Sequence, residues 1–300
     1  MSAQPETVTK QIRPFYWSVR RELWENRSLY MAPLIVAGVV VFGFIFSAIG
    51  LAERRHEVLL LDDPMKQRAA IEMPYDMAAL MLMFTAFIVG LFYCLDALYG
   101  ERRDRSVLFW KSMPVSDRTS VLAKAFVPLV VMPFITFALI LAAQLMILLI
   151  TSILLLFHGM NPVTTITHTN LVQNSMILFY ALIALSLWHA PTYAWALLVS
   201  SWARRATFLW AVLPVIAISI FERITSGTSY FSLFIRDRFM SWAAEAFALR
   251  HGPKGMPILD TLSQLTPGRY LMTPGLWLGL IVAAVFLVLA IRLRRYQGPV

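Results

Sequence analysis

From Gly100 to Phe126 the chain reads GERRDRSVLFWKSMPVSDRTSVLAKAF. Long apolar runs flank this stretch, so a dense block of charge is held between two segments that avoid water. Short cytoplasmic loops of membrane proteins are rich in Lys and Arg, which accounts for the arginines. It does not account for Phe109, Trp110 and Met113 in the same loop. A merely solvated loop would leave them in water, whereas a surface that docks into a partner's groove uses apolar residues of this kind among charges.

Working outward, apolar residues make up 59% of the 300 positions and charged residues 14%, against roughly 45–50% and 25% in soluble chains. The chain therefore reads as an all-α integral membrane protein, a single transmembrane domain over 1–300. A helix needs about 20 mostly apolar residues to cross a hydrocarbon core of about 30 Å. Six segments meet that length: Ser28 to Leu51, Tyr75 to Tyr99, Ala125 to Phe157, Leu171 to Ser201, Thr207 to Ile224 and Gly275 to Leu293. The third is long for one straight crossing, and Pro128 and Pro133 near its start predict a kinked, interfacial lead-in. The first run is about twice the length of a signal-peptide core and lacks a small-residue cleavage site, so no cleaved leader is expected. The single cysteine, Cys94, lies inside an apolar run and forms no intrachain disulfide.

With the N-terminus inside, sixteen of the 26 lysines and arginines fall on the cytoplasmic side, in the segments around Arg13–Arg27, Arg102–Lys124, Arg204–Arg205 and Arg292–Arg295. Acids match the remainder in two outer loops, and the uncharged loop His158 to Asn170 completes the pattern. Both termini are expected in the cytoplasm. The net charge of +9 is then a matter of orientation and lipid surface rather than nucleic acid.

Ahead of the first span, within 1–27, Ile12, Phe15, Val19 and Leu23 recur at helical spacing, with Arg13, Arg20, Arg21 and Glu25 on other faces and Trp24 alongside. This predicts a helix lying along the inner leaflet. In the opening stretch, a helix is expected from Glu101 through Trp110, with a stop near Ser112 because Pro114 turns Met113 away from helical geometry. Ser116 then caps a second helix starting at Asp117, whose charge suits a helix N-terminus. Between the last two spans, Phe231 to Arg250 interleaves aromatic and charged residues. It reads as one or two amphipathic helices, broken by His251-Gly252-Pro253, that either re-enter the membrane or lie flat on the outer leaflet.

The order Glu101, Arg102, Ser106-Val107-Leu108, Ser112-Met113-Pro114-Val115-Ser116 and Lys124, directly after the second of six spans, resembles the cytoplasmic signature of type-2 ABC exporter permeases. The order of spans and the N-terminal helix extend the resemblance over the whole chain. It implies a bacterial inner-membrane permease subunit of an outward-pumping ABC transporter, with a coupling helix resting on a separate cytoplasmic ATPase subunit that uses ATP and magnesium. The coupling residues would be Glu101, Arg102, Leu108, Phe109, Trp110, Met113, Pro114 and Asp117. It also implies a dimer with a second copy or a paralogue, in which the second and fifth spans line the path, with Met83, Phe87, Trp210 and Pro214 as lining candidates.

A permease does not hydrolyse ATP itself, and the chain has no Gly-x4-Gly-Lys-Ser/Thr cradle and no Gly-Lys dipeptide. The rival class, an intramembrane enzyme, needs reactive groups at membrane depth. A serine protease would need Gly-x-Ser-Gly, which is missing, and His56-Glu57 lacks the second histidine of His-Glu-x-x-His. No catalytic, cofactor or metal residue is therefore assigned. His189, just before Ala190-Pro191 in the fourth span, is expected to satisfy a carbonyl freed by the proline. Asp96 is expected to pair locally with Arg102 or Arg103. A different reading stays open: a membrane scaffold that recruits a cytoplasmic partner through the same loop and transports nothing.

Overall fold

The computed structural model describes residues 13–60, 63–106, 109, 115–161, 163, 170–251, 257–258 and 261–296. Helix α1 (Pro14–Glu25) leads through Asn26 and Arg27 into α2 (Ser28–Ser47), and a turn at Gly50 starts α3 (Leu51–Leu59). Helix α4 (Pro64–Ala97) and the short α5 (Tyr99–Arg103) follow. Helix α6 (Asp117–Phe126) runs through a π-helical turn (Val127–Val131) into α7 (Met132–Phe157). The fourth apolar run is two helices, α8 (Leu171–Trp188) and α9 (Ala190–Trp202). Then come α10 (Thr207–Ser226), α11 (Tyr230–Met240), α12 (Trp242–Ala246), an antiparallel strand pair β1 (Arg250–His251) and β2 (Pro257–Ile258), α13 (Pro267–Met272) and α14 (Pro274–Tyr296).

The protein is thus mostly helical, and among the described residues six helices are long and apolar enough to cross a membrane. Three of its buried apolar clusters follow one another along α2, α4 and α7. One end gathers Leu29, Cys94, Val127, Met132 and Leu197. The middle gathers Ala37, Leu82, Ile140 and Leu182, and the other end Phe44, Ala48, Tyr75 and Ile147. Gly90 permits a close approach of α4 to α9 in this core, since a Cβ there would meet the Tyr193 ring at 3.2 Å.

Several expectations need correction. The helix that carries the second apolar run, Tyr75 to Tyr99, starts ahead of it at Pro64 and continues through Pro74, which leaves the expected span inside it. The third is helical from Asp117, and the two prolines produce a π-helical turn inside a continuous helix rather than a separate lead-in. Pro133 has no N–H for the Leu129 carbonyl four residues back, and that carbonyl instead accepts the Ser186 hydroxyl of α8 at 2.6 Å. The fourth run is broken at His189. After Glu101 the helix ends at Asp104, and Arg105 takes a left-handed φ of 57°, so no single helix runs from Glu101 through Trp110. The inward face of α1 is centred on Ser18 and Glu22, while Phe15 is left partly exposed; Ile12 lies outside the described residues.

Candidate functional site

Five elements converge on a cluster of buried charge. Glu22 of α1 and Lys124 of α6 are 1% and 2% exposed, and Lys124 Nζ lies 2.8 Å and 3.0 Å from the two Glu22 carboxylate oxygens. The Tyr93 hydroxyl of α4 donates to Glu22 at 2.9 Å. Glu101 of α5 sits at the centre, with Lys124 Nζ at 3.1 Å, Arg21 Nη2 at 3.0 Å and Arg294 Nη1 at 2.9 Å. Arg294, near the end of α14, also reaches Asp117 at 3.1 Å. Cations and carboxylates alternate, so each buried charge faces opposite ones, the condition under which such charges are tolerated away from water. Burial by itself would raise the Glu22 pKa, but Lys124 and Arg21 outweigh it and hold the carboxyl below its usual range.

Beside this cluster, Arg102 fastens α5 to the end of α9. Its guanidinium donates to the carbonyls of Ser200 at 3.0 Å and Ala203 at 2.5 Å. The Ser200 hydroxyl in turn accepts the N–H groups of Leu98 and Tyr99 at 3.0 Å and 2.9 Å. A helix ends with carbonyls that lack intrahelical partners and carry partial negative charge, and an arginine satisfies both needs. As expected, Ser116 caps α6 by accepting the Thr119 N–H at 3.1 Å. Asp96 pairs with Arg103 at 3.7 Å.

A second arrangement occupies the break between α8 and α9. The His189 ring bonds the Leu185 carbonyl at 2.9 Å, not the Leu187 carbonyl that Pro191 leaves without its helical donor. Arg238 of α11 donates to the carbonyls of Trp188 at 2.5 Å and Gly275 at 2.9 Å, and lies over the Trp188 ring at 4.3 Å. The Trp188 indole donates back to the Arg238 carbonyl at 2.7 Å. Gly279 of α14 leaves the space for this arginine, since a Cβ there would collide with its guanidinium. Phe87, His189 and Phe239 form an aromatic cluster beside it. Both Phe87 and His189 stand roughly 16 Å along their helices from the Leu98–Ser200 contact, at 1.5 Å per residue.

Of the predicted coupling residues, Glu101 and Arg102 are buried in this network and Asp117 is partly buried at its edge. Phe109 is exposed. Leu108, Trp110, Met113 and Pro114 lie outside the described residues. Of the lining candidates, Met83 packs against the middle apolar layer, and Phe87 joins the His189 cluster. Trp210 rests edge-on against Trp202 at 4.9 Å, and Pro214 is half-buried within α10. No residue of α10 is buried. That helix is tied near one end by the Trp195 indole donating to Ala211 at 3.1 Å, and at the other by Glu222. Glu222 accepts the N–H groups of Tyr230 at 2.7 Å and Phe231 at 2.8 Å, capping α11.

Sequence reasoning missed Glu22, Arg294, Arg238 and Glu222. A signal existed for the first two, since a glutamate and an arginine on otherwise apolar or interfacial helix faces need partners. Among the described residues, no three His, Cys, Asp or Glu side chains converge as a metal site would require. Comparison with protein-family models, with characterised proteins and with solved structures found no match to the chain.

Proposed function

We propose that this chain is the transmembrane permease subunit of an ATP-driven exporter, coupled to a separate cytoplasmic ATPase. The observation that carries the reading is the buried network around Glu101. It joins the segment after the second span to the N-terminal helix, to the start of the third span and to the end of the last. A push on the 104–116 segment would act on all of these elements together, as rigid-body coupling between a cytoplasmic and a membrane interface requires.

In this reading α1 lies at the cytoplasmic interface and both termini are inside. The α11–α12 hairpin re-enters from the outer side and meets the fourth span near half depth. The uncovered α10 faces a second copy or a paralogue across the path, with Met83 and Phe87 on the neighbouring span. The chain itself is not catalytic; ATP and magnesium belong to the partner, and the setting is the bacterial inner membrane.

The test is gentle purification of the tagged chain from its native membranes, identification of co-purifying proteins, and an ATPase assay. A stoichiometric partner with a Walker motif and ATPase activity is the expected result. Recovery of the chain alone and inactive under several mild detergents would overturn it in favour of a non-transporting scaffold. In the assembled complex, Trp110→Ala should leave ATP hydrolysis running but uncoupled from transport.

A further inference from the structure

The face of α1 turned away from Glu22 carries a separate feature. Trp17, Arg20 and Trp24 follow at steps of three and four residues and so share one stripe of the helix. The Arg20 guanidinium lies 5.2 Å from the Trp17 ring and 4.4 Å from the Trp24 ring. Both indoles are largely exposed, at 51% and 62%. Arg13, at the N-cap of the helix, and Arg27, just past its end, extend the stripe and are also exposed. Among the described residues, none of these three arginines has a carboxylate partner, although nearby Arg21 has three.

We infer that this stripe binds the phosphate headgroups of anionic phospholipids in the leaflet beside α1. Contact with the two rings leaves the N–H edge of Arg20 free, and that planar edge is the part of arginine that matches phosphate oxygens in pairs. Tryptophan favours the boundary where an apolar ring meets polar headgroups, which argues for lipid over bulk water. The position fits as well. Only Asn26 and Arg27 separate α1 from the apolar helix beginning at Ser28, so Trp24 is within about a turn of the membrane entry. On the opposite side, Val19 and Leu23 pack on the protein core, which holds the stripe outward.

The inference does not depend on transport or on an ATPase partner. It is tested with the full chain in nanodiscs of phosphatidylcholine containing increasing fractions of brominated phosphatidylglycerol, reading quenching of tryptophan fluorescence. A component saturating at low phosphatidylglycerol fraction is expected, absent from Trp17→Phe/Trp24→Phe and absent when the bromine is carried by phosphatidylcholine instead. Arg20→Gln should raise the fraction giving half of that component by about fivefold, as expected for one arginine at an anionic surface, and Arg13→Gln/Arg20→Gln/Arg27→Gln should abolish it. Added salt should shift the midpoint upward. Equal quenching by the two brominated lipids, or an unchanged midpoint in Arg20→Gln, would overturn the inference. So would the absence of any quenching at Trp17 and Trp24, which would assign the stripe to a water-borne protein partner.

Discussion

The two helices of the fourth apolar run end in the same way and in different surroundings. Each presents unpaired carbonyls at its carboxyl end, and each is closed by an arginine from another element: α8 by Arg238, α9 by Arg102. Arg102 stands beside a carboxylate network fed by three helices. Arg238 also rests on two carbonyls, with an indole and no carboxylate network beside it. The contrast separates two ways of holding a cation away from water: the opposite charge of Glu101 for Arg21, Lys124 and Arg294, which several elements supply, and helix-end carbonyls for Arg102 and Arg238.

The comparison can be broken first at its ionic side. Glu101→Ala removes the carboxylate that Arg21, Lys124 and Arg294 all face and should cost about 3–5 kcal/mol, the range for breaking a buried ion pair from one side. Thermal unfolding in a fixed detergent would measure it, and a loss under about 1 kcal/mol would mean that the network is wetter than its geometry implies.

Replacing each capping arginine by methionine sharpens the contrast. Arg102→Met and Arg238→Met should each cost about 2–3 kcal/mol, the range for hydrogen bonds to a charged group. The location of the damage should differ. Hydrogen exchange should rise across Tyr99–Arg103 and the end of α9 in the first variant, and across Tyr230–Met240 in the second.

Gly279→Ala should cost about 1–3 kcal/mol, as overpacking does, because the added methyl meets a guanidinium held by two carbonyls. In the Arg238→Met background most of that cost should vanish, and additivity of the two substitutions would refute the proposed contact.

Acid gives the smallest effect at ordinary pH. The folded Glu22 carboxyl has a pKa below its unfolded value of about 4.3, so its contribution is fully present above that value and is lost as pH falls through the lower, folded one. Stability around α1 and α6 should hold from pH 7 to 5 and fall below about pH 4, near the reference carboxyl value. The carbonyls around Arg238 do not titrate, so exchange in the second half of α11 should be insensitive over the same range, whereas its first turn should loosen as acid protonates the Glu222 carboxylate that caps it.

Much of the architecture is legible in the sequence, because a run of about 20 apolar residues has few alternatives to a spanning helix. The Ser116 cap and the local Asp96 pairing are legible for a similar reason, since both partners lie within a few positions. What escaped notice involves partners far apart along the chain. Glu22 and Lys124 are drawn together by tertiary packing, and nothing near Arg238 in sequence marks Trp188 or Gly275 as its acceptors. Proline was read too strongly at the start of the third run: Pro128 falls in a π-helical turn and Pro133 just after it, within one continuous helix, and the loss at Pro133 is repaired by Ser186 from another helix.

The missing side chain at Gly279 makes the last span keyed to its neighbour. Turning α14 by a single residue, about 100°, would carry the notch away from Arg238 and bring a larger side chain against the guanidinium. The helix is therefore not free to roll or slip past α11 in small increments. Any rearrangement that moves one must either carry the other along as a block or first withdraw the arginine, as a bolt is drawn before a shaft can turn.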